Sequence, residues 1–138
     1  MTKKNIALTG GSTWWHVFPL LAMKKHLDES KKYNFFWFGE EDSLEEEIAK
    51  KNNIEFHRIA SGKIRRYFDW KNFYEPLKNI TWVFEWIFYV LKYKIDFVIS
   101  KWGFVSVPLC IAAKALGKKV YIHESDQVMW LANTIISK

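Results

Sequence analysis

Apolar positions along this chain follow two alternating spacings. Short dense runs, KNIALTG (Lys4–Gly10), YNFFWFG (Tyr33–Gly39), IEFHRI (Ile54–Ile59), IDFVIS (Ile95–Ser100) and KKVYIHE (Lys118–Glu124), are rich in β-branched and aromatic residues and bounded by Gly, Asn or Asp. That pattern predicts five strands. Between them apolar residues recur at the spacing of a helical face, over Val17–Ser30, Ser43–Asn53, Lys71–Lys94 and Val105–Gly117, and a further helix begins at Val128. Ser43 stands before three glutamates, the composition of a capped helix start. Gly117 supplies a helix stop. Ser61–Trp70 reads as a loop. Strands alternating with helices, without repeat or linker, predict βαβ units: an α/β fold with a parallel sheet flanked by helices, in one domain over residues 1–138.

In such sheets ligands bind outside the carboxyl ends of the strands. Three loops lie there: Gly10–His16, Lys101–Ser106 and Glu124–Trp130. Each can also be read as a plain turn. The first opens with Gly10 and Gly11 like a loop whose backbone N–H groups close on a phosphate. It then places Trp14 and Trp15 where small residues would help. His16 follows at the start of a helix. Its imidazole titrates near neutral pH, so it can serve as a general base, or it can be a structural residue there. Thr13 can hydrogen-bond a phosphate or a sugar, or act as an N-cap, and Ser106 is placed to cap the helix after it.

Composition narrows the partners. Lys and Arg number 21 against 15 Asp and Glu, a net charge of +6. That favours anionic partners: phosphorylated substrates, an acidic membrane surface or nucleic acid. No nucleic-acid-binding motif accompanies the charge. The one cysteine, Cys110, excludes a disulfide framework or a thiolate metal cluster and suits a reducing cytoplasm. The start, MTKKNIALTGG, reads as a first strand rather than a signal peptide. The longest apolar stretch, Ile80–Leu91, holds Glu85 and is shorter than the roughly 20 residues that span a bilayer. Within Lys63–Lys94, Phe73, Leu77, Phe84, Phe88 and Leu91 mark one helical face, most simply the core. Ile64, Arg65, Arg66, Tyr67, Phe68 and Trp70 combine basic and aromatic side chains as a bilayer-contacting segment does; the alternative is a solvated charged face.

The segments LTGGSTWWHVFPLLAM, FVSVPLCIAAKALGKKVYIHES and LANTIISK, with FFWFGEEDSLEEEIAKKNNIEFHRI between them, resemble in order and spacing the N-terminal half of MurG-type glycosyltransferases, glycosyltransferase family 28. In that family the first loop reads Gly-Gly-x-Thr-Gly-Gly-His, and the later ones Gly-Gly-Tyr-Val-Ser and His-Glu-Gln-Asn before Gly-Leu-Ala-Asn. The resemblance implies a Rossmann-like sheet forming one half of a GT-B glycosyltransferase. It implies transfer of GlcNAc from UDP-GlcNAc to undecaprenyl-pyrophosphoryl-MurNAc-pentapeptide, lipid I to lipid II of peptidoglycan synthesis, without metal or other cofactor. The N-terminal domain would hold the lipid-linked pyrophosphate acceptor at the cytoplasmic face of the membrane, as a peripheral protein, and a C-terminal domain would hold the nucleotide sugar. On this expectation the chain is the acceptor domain alone, the donor domain is absent, and the isolated chain is inactive. The implied site residues are His16 as catalytic base, with Gly10, Gly11, Thr13, Trp14, Trp15, Phe104, Ser106, Glu124 and Asp126 on the substrate. An alternative of a different class is a non-catalytic, membrane-recruiting acceptor subunit of a split two-chain glycosyltransferase.

The sequence departs from the family pattern in an ordered way. Trp14, Trp15, Trp102 and Trp130 stand at four family glycines. Scattered drift would also introduce Ala, Ser or Asn. One cause accounts for all four, a UGA codon that means glycine in the source lineage and is read here as tryptophan. The alternative is that the tryptophans are native and the loop has lost its former role. Phe104 replaces the family tyrosine and its hydroxyl. Asp126 replaces an amide and, when ionised, can only accept hydrogen bonds. Glu124 is equally readable as a loop-ordering carboxylate.

Overall fold

The structure, a computed structural model, describes residues 2–10, 13–59, 76–101 and 106–123. Strands β1 (Lys4–Gly10), β2 (Tyr33–Glu40), β3 (Glu55–Ile59), β4 (Ile95–Lys101) and β5 (Lys119–Ile122) form one sheet in the order β3-β2-β1-β4-β5. Every pairing is parallel. The described helices are α1 (Trp14–Asp28), α2 (Leu44–Lys51), α3 (Pro76–Lys92) and α4 (Val107–Ala115). The chain steps outward from β1 to β3, crosses back beside β1, and steps outward again to β5. The strand order therefore reverses between β1 and β4.

Central β1 shows why the apolar runs are continuous. Its Ile6, Ala7 and Leu8 have no exposed surface, because a parallel sheet is covered on both faces. Ile6 and Leu8 join Trp37 and Ile99 under Val17 and Leu20 of α1 and Ile48 and Ala49 of α2. Ala7 joins Phe38 and Val98 under Trp86 and Val90 of α3 and Leu109, Cys110, Ala112 and Ala113 of α4. Burial of Cys110 pushes its thiol up to about 12.

The helix ends follow from local chemistry. Ser43 caps α2 by accepting from the Glu46 N–H at 3.3 Å. Lys50–Glu46 (2.7 Å) and Lys51–Glu47 (2.5 Å) pair one turn apart, the favourable acid-first orientation. Gly117 ends α4 at φ +70°. Lys118 N–H donates to Ala113 O and Gly117 N–H to Lys114 O, both at 2.9 Å, a Schellman turn in which glycine takes the left-handed position without steric cost. α1 begins at Trp14, three residues before the expected start, so both indoles are helical. Neither is at positive φ, so tryptophan carries no backbone penalty at either position.

α3 corrects the sequence reading of its face. Phe84, Phe88 and Leu91 are 65%, 59% and 57% exposed, while Trp86 and Val90 are buried. The helix is apolar on more than one side, and periodicity alone chose the wrong row. The row that won brings a whole indole against Phe38 (centroids 6.4 Å) and Tyr89 (5.9 Å). The proposed membrane-contact residues Ile64, Arg65, Arg66, Tyr67, Phe68 and Trp70 lie outside the described residues.

Candidate functional site

The strand order reverses between β1 and β4, and open parallel sheets bind ligands outside the carboxyl ends of the strands at such a point. Thr9 pairs in register with Ser100, and Gly10 with Lys101. An added Cβ on Gly10 would meet Lys101 O at 2.9 Å and Leu20 Cδ1 at 3.0 Å. Only glycine lets the two strand ends and α1 approach this closely. Thr9 and Ser100 are fully buried; the Thr9 hydroxyl has no hydrogen-bond partner, and the Ser100 hydroxyl lies against the Cys110 thiol. Beyond β5, the His123 N–H donates to Ser100 O at 2.8 Å and extends the ladder by one residue. Its Nδ1 is buried without a hydrogen bond.

Thr13 stands in the cap position of α1 with extended backbone (φ −109°, ψ 153°). Its carbonyl accepts from His16 N–H (3.0 Å) and Val17 N–H (3.1 Å). Its hydroxyl makes no capping bond and instead lies 2.6 Å from His16 Nδ1. The N-cap reading of the Thr13 side chain is therefore replaced by an imidazole-orienting one. Donation from Nδ1–H to Thr13 Oγ1 is the tautomer that puts the ring lone pair on Nε2; donation from the Thr13 hydroxyl to Nδ1 is the other. The first turn of α1 holds no acidic residue, whereas that of α2 holds Glu45, Glu46 and Glu47. The positive end of the α1 dipole is thus left for something other than its own acids.

Trp14 and Trp15 are 56% and 85% exposed. Trp14 stacks on Phe18, centroids 5.0 Å apart at 15°, and the pair stands on the outer surface of the first turn. Ser106 is buried at the start of α4, and Cys110 N–H donates to its carbonyl at 3.0 Å, but its hydroxyl makes no capping bond. Gly11, Phe104, Glu124 and Asp126 lie outside the described residues. The structure thus brings Gly10, Thr13 and His16 to one end of the sheet and adds Thr9, Ser100 and Lys101, which sequence reasoning did not select. A lysine closing the apolar run IDFVIS was the available clue to Lys101. Nothing in the sequence distinguishes the two buried hydroxyls. Among the described residues no group of His, Cys, Asp or Glu could hold a metal ion, and no helix is long and apolar enough to cross a membrane.

Parallel strands alternating with helices on both faces, with the strand order reversing between β1 and β4, define a Rossmann-like α/β domain. The pattern of the glycosyltransferase family 28 N-terminal domain matches residues 6–138, and the chain belongs to that family. It is 46% identical over 134 residues to the UDP-N-acetylglucosamine--N-acetylmuramyl-(pentapeptide) pyrophosphoryl-undecaprenol N-acetylglucosamine transferase of Clostridium kluyveri, covering 97% of this chain and 38% of that protein. The transferase of the same name from Clostridium novyi is 43% identical over 98% of this chain and 38% of its own length. The crystal structure of Acinetobacter baumannii MurG superposes with a TM-score of 0.77 at 28% identity, over 97% of this chain and 38% of that one. A glycosyltransferase from Rickettsia africae shares the fold alone, with a TM-score of 0.64 at 13% identity over 88% of this chain and 30% of that one. The chain therefore spans about two-fifths of the length of the relatives it matches.

Proposed function

We propose that this chain is the acceptor-binding half of a transferase that moves GlcNAc from UDP-GlcNAc to undecaprenyl-pyrophosphoryl-MurNAc-pentapeptide. The observation that carries the reading is the family 28 match over residues 6–138; the start of α1 beside the β1–β4 switch, with no side-chain cap and no acid in its first turn, supports it. The acceptor diphosphate lies at the uncapped start of α1, where backbone N–H groups and the helix dipole favour negative charge. The acceptor sugar hydroxyl attacks the anomeric carbon of GlcNAc, the bond to UDP breaks, and His16 Nε2 takes the hydroxyl proton. Thr13 holds the imidazole in the required tautomer through the 2.6 Å contact at Nδ1. The donor sugar nucleotide is held by the remainder of a two-domain enzyme, which works at the cytoplasmic membrane face because its acceptor is a lipid.

The test joins this chain to the donor half of the Clostridium kluyveri relative and measures transfer of labelled GlcNAc to a short-chain lipid I analogue. The chimera, made also with Trp14→Gly and Trp15→Gly, is expected to make lipid II. His16→Ala is expected to lower kcat by about 10²–10⁴-fold with little change in acceptor KM. A soluble chimera that binds UDP-GlcNAc yet transfers nothing in either form overturns the reading.

A further inference from the structure

The four described helix-to-strand turns are built alike. Each ends in one residue at positive φ whose N–H donates to the carbonyl three residues back: Lys31 (φ 52°) to Asp28 at 2.9 Å, Asn53 (φ 52°) to Lys50 at 3.2 Å, Lys94 (φ 48°) to Leu91 at 3.1 Å, and Gly117 (φ 70°) to Lys114 at 2.9 Å. Glycine and asparagine enter this left-handed region at least cost. Two of the turns use them. The other two use lysine, whose Cβ crowds the backbone there. Those two turns flank the start of β1, the central strand. Lys4 N–H donates to Lys32 O at 3.0 Å, and Lys94 O accepts from the Asn5 side chain at 3.3 Å. Lys3, Lys4, Lys31, Lys32 and Lys94 therefore converge on one point. All five are exposed, and none is ion-paired among the described residues. The carboxylates beside them are engaged: Asp28 with Lys24 at 2.6 Å, Glu29 facing His26 at 4.0 Å, and Asp96 with the Asn5 N–H at 2.8 Å. The buried polar atoms of Asn5 are satisfied here; what is left unmatched is exposed charge. Like charges gathered in one place repel, and strained backbone persists where function retains it. Folding alone favours neither.

We propose that this lysine cluster docks an acidic surface of a cytosolic protein partner. Lysine is a compact, hydrated point charge without the planar fork of arginine, and the adjacent rings are already engaged, Tyr33 edge-on to Phe97 and Tyr93 against His57. A nucleic acid would call for forks and free stacking rings. The seven residues of β1 set the cluster about 20 Å from the β1–β4 switch point. The proposal rests on the acceptor-half reading in one respect: that reading turns the switch point toward the bilayer, so the lysines face the cytosol. Clustered charge speeds encounter with an acidic partner and asks little of shape.

Binding of fluorescent poly-L-glutamate to the full chain is measured at low ionic strength, where exposed charges are least screened. Phosphatidylglycerol vesicles and a single-stranded oligonucleotide are measured beside it. The variants are Lys31→Gly plus Lys94→Gly, Lys31→Asn plus Lys94→Asn, and, as a control of equal charge two strands away on β5, Lys118→Ser plus Lys119→Ser. Affinity for poly-L-glutamate should fall about fivefold or more in the Gly and Asn pairs and less than about twofold in the Ser pair. The Gly pair should melt about 2–6 °C higher, because glycine relieves both left-handed positions, and the Asn pair no lower than the parent. Unchanged affinity in the Gly and Asn pairs overturns the proposal, and an equal loss in all three pairs overturns it in favour of net charge alone. A lower melting temperature in the Gly and Asn pairs overturns it by making the lysines structural caps. Tighter binding to the vesicles or the oligonucleotide than to poly-L-glutamate, with the same dependence on Lys31 and Lys94, overturns the protein partner in favour of a bilayer or a nucleic acid. The docking measurement needs no transfer, and transfer by the chimera needs neither lysine, so each reading can fail alone.

Discussion

The two ends of the sheet treat polar atoms in opposite ways. At the amino end, Asn5 satisfies its whole side chain. Its amide donates to Tyr93 O (2.8 Å) and Lys94 O (3.3 Å), its Oδ1 accepts from Asn34 (2.9 Å), and its backbone N–H donates to Asp96 (2.8 Å). One residue thereby ties β1, β2 and the turn from α3 into β4. At the carboxyl end, Thr9 buries a hydroxyl without a partner, His123 buries Nδ1 without one, and a glycine is compelled by contact. Buried polar groups are normally paired. A saturated end is what stability alone produces, and an end left short of partners is where a ligand completes the structure.

The contrast can be broken by substitution. Among the substitutions Asn5→Leu should cost the most, about 2–3 kcal/mol in chemical denaturation, because it removes three bonds that tie β1 to β2 and to the turn before β4. Gly10→Ala comes next, at about 1–3 kcal/mol, since its methyl would meet the Lys101 carbonyl and Leu20. As large over its full range is a pH effect at the carboxyl end of β2. Glu45 is fully buried under Gly39 and accepts from Glu40 N–H at 3.2 Å. Burial raises its pKa from 4.5 to about 8. The folded chain keeps this proton up to about pH 8 and the unfolded chain only to about 4.5. Stability should therefore fall by about 1 kcal/mol per pH unit across that window and level off above it, and Glu45→Gln should abolish the slope. Neighbouring Glu46 behaves oppositely: its bonds from Lys50 and Asp42 N–H hold its pKa to about 2, so its contribution is present above pH 4.5 and disappears as pH falls through 2. Smallest of all, Thr9→Val should change stability by less than about 0.5 kcal/mol or raise it, because no hydrogen bond is lost. A cost for Thr9→Val matching that of Asn5→Leu would erase the distinction between the two ends.

The strands and the switch point were legible because a covered parallel sheet writes itself as continuous apolar runs between helical spacings. The exposed row of α3 was misread because a helix apolar on several sides carries no directional information until the sheet beneath it is known. Lys101, Thr9 and Ser100 escaped notice because strand residues give no sign of which neighbour lies across from them. The fold separates the described tryptophans along the same line as the family glycines at positions 14 and 15. Trp37 and Trp86 are core residues, and glycine at either would leave a cavity. Trp14 and Trp15 stand in solvent, where glycine costs no core contact. Sequencing the gene is expected to show UGG at codons 37 and 86 and UGA at codons 14, 15, 102 and 130. UGG at the last four would make the aromatic loop native.

The lone thiol beneath α4 gives this chain a built-in clock. Cys110 has no exposed surface and is held as the thiol up to about pH 12. A maleimide or disulfide reagent at pH 8 reaches it only in molecules whose α4 has lifted from the sheet, since only an exposed thiolate reacts. The labelling rate therefore counts those excursions. If a diphosphate draws the ends of β1 and β4 together, the clock should slow as the site fills.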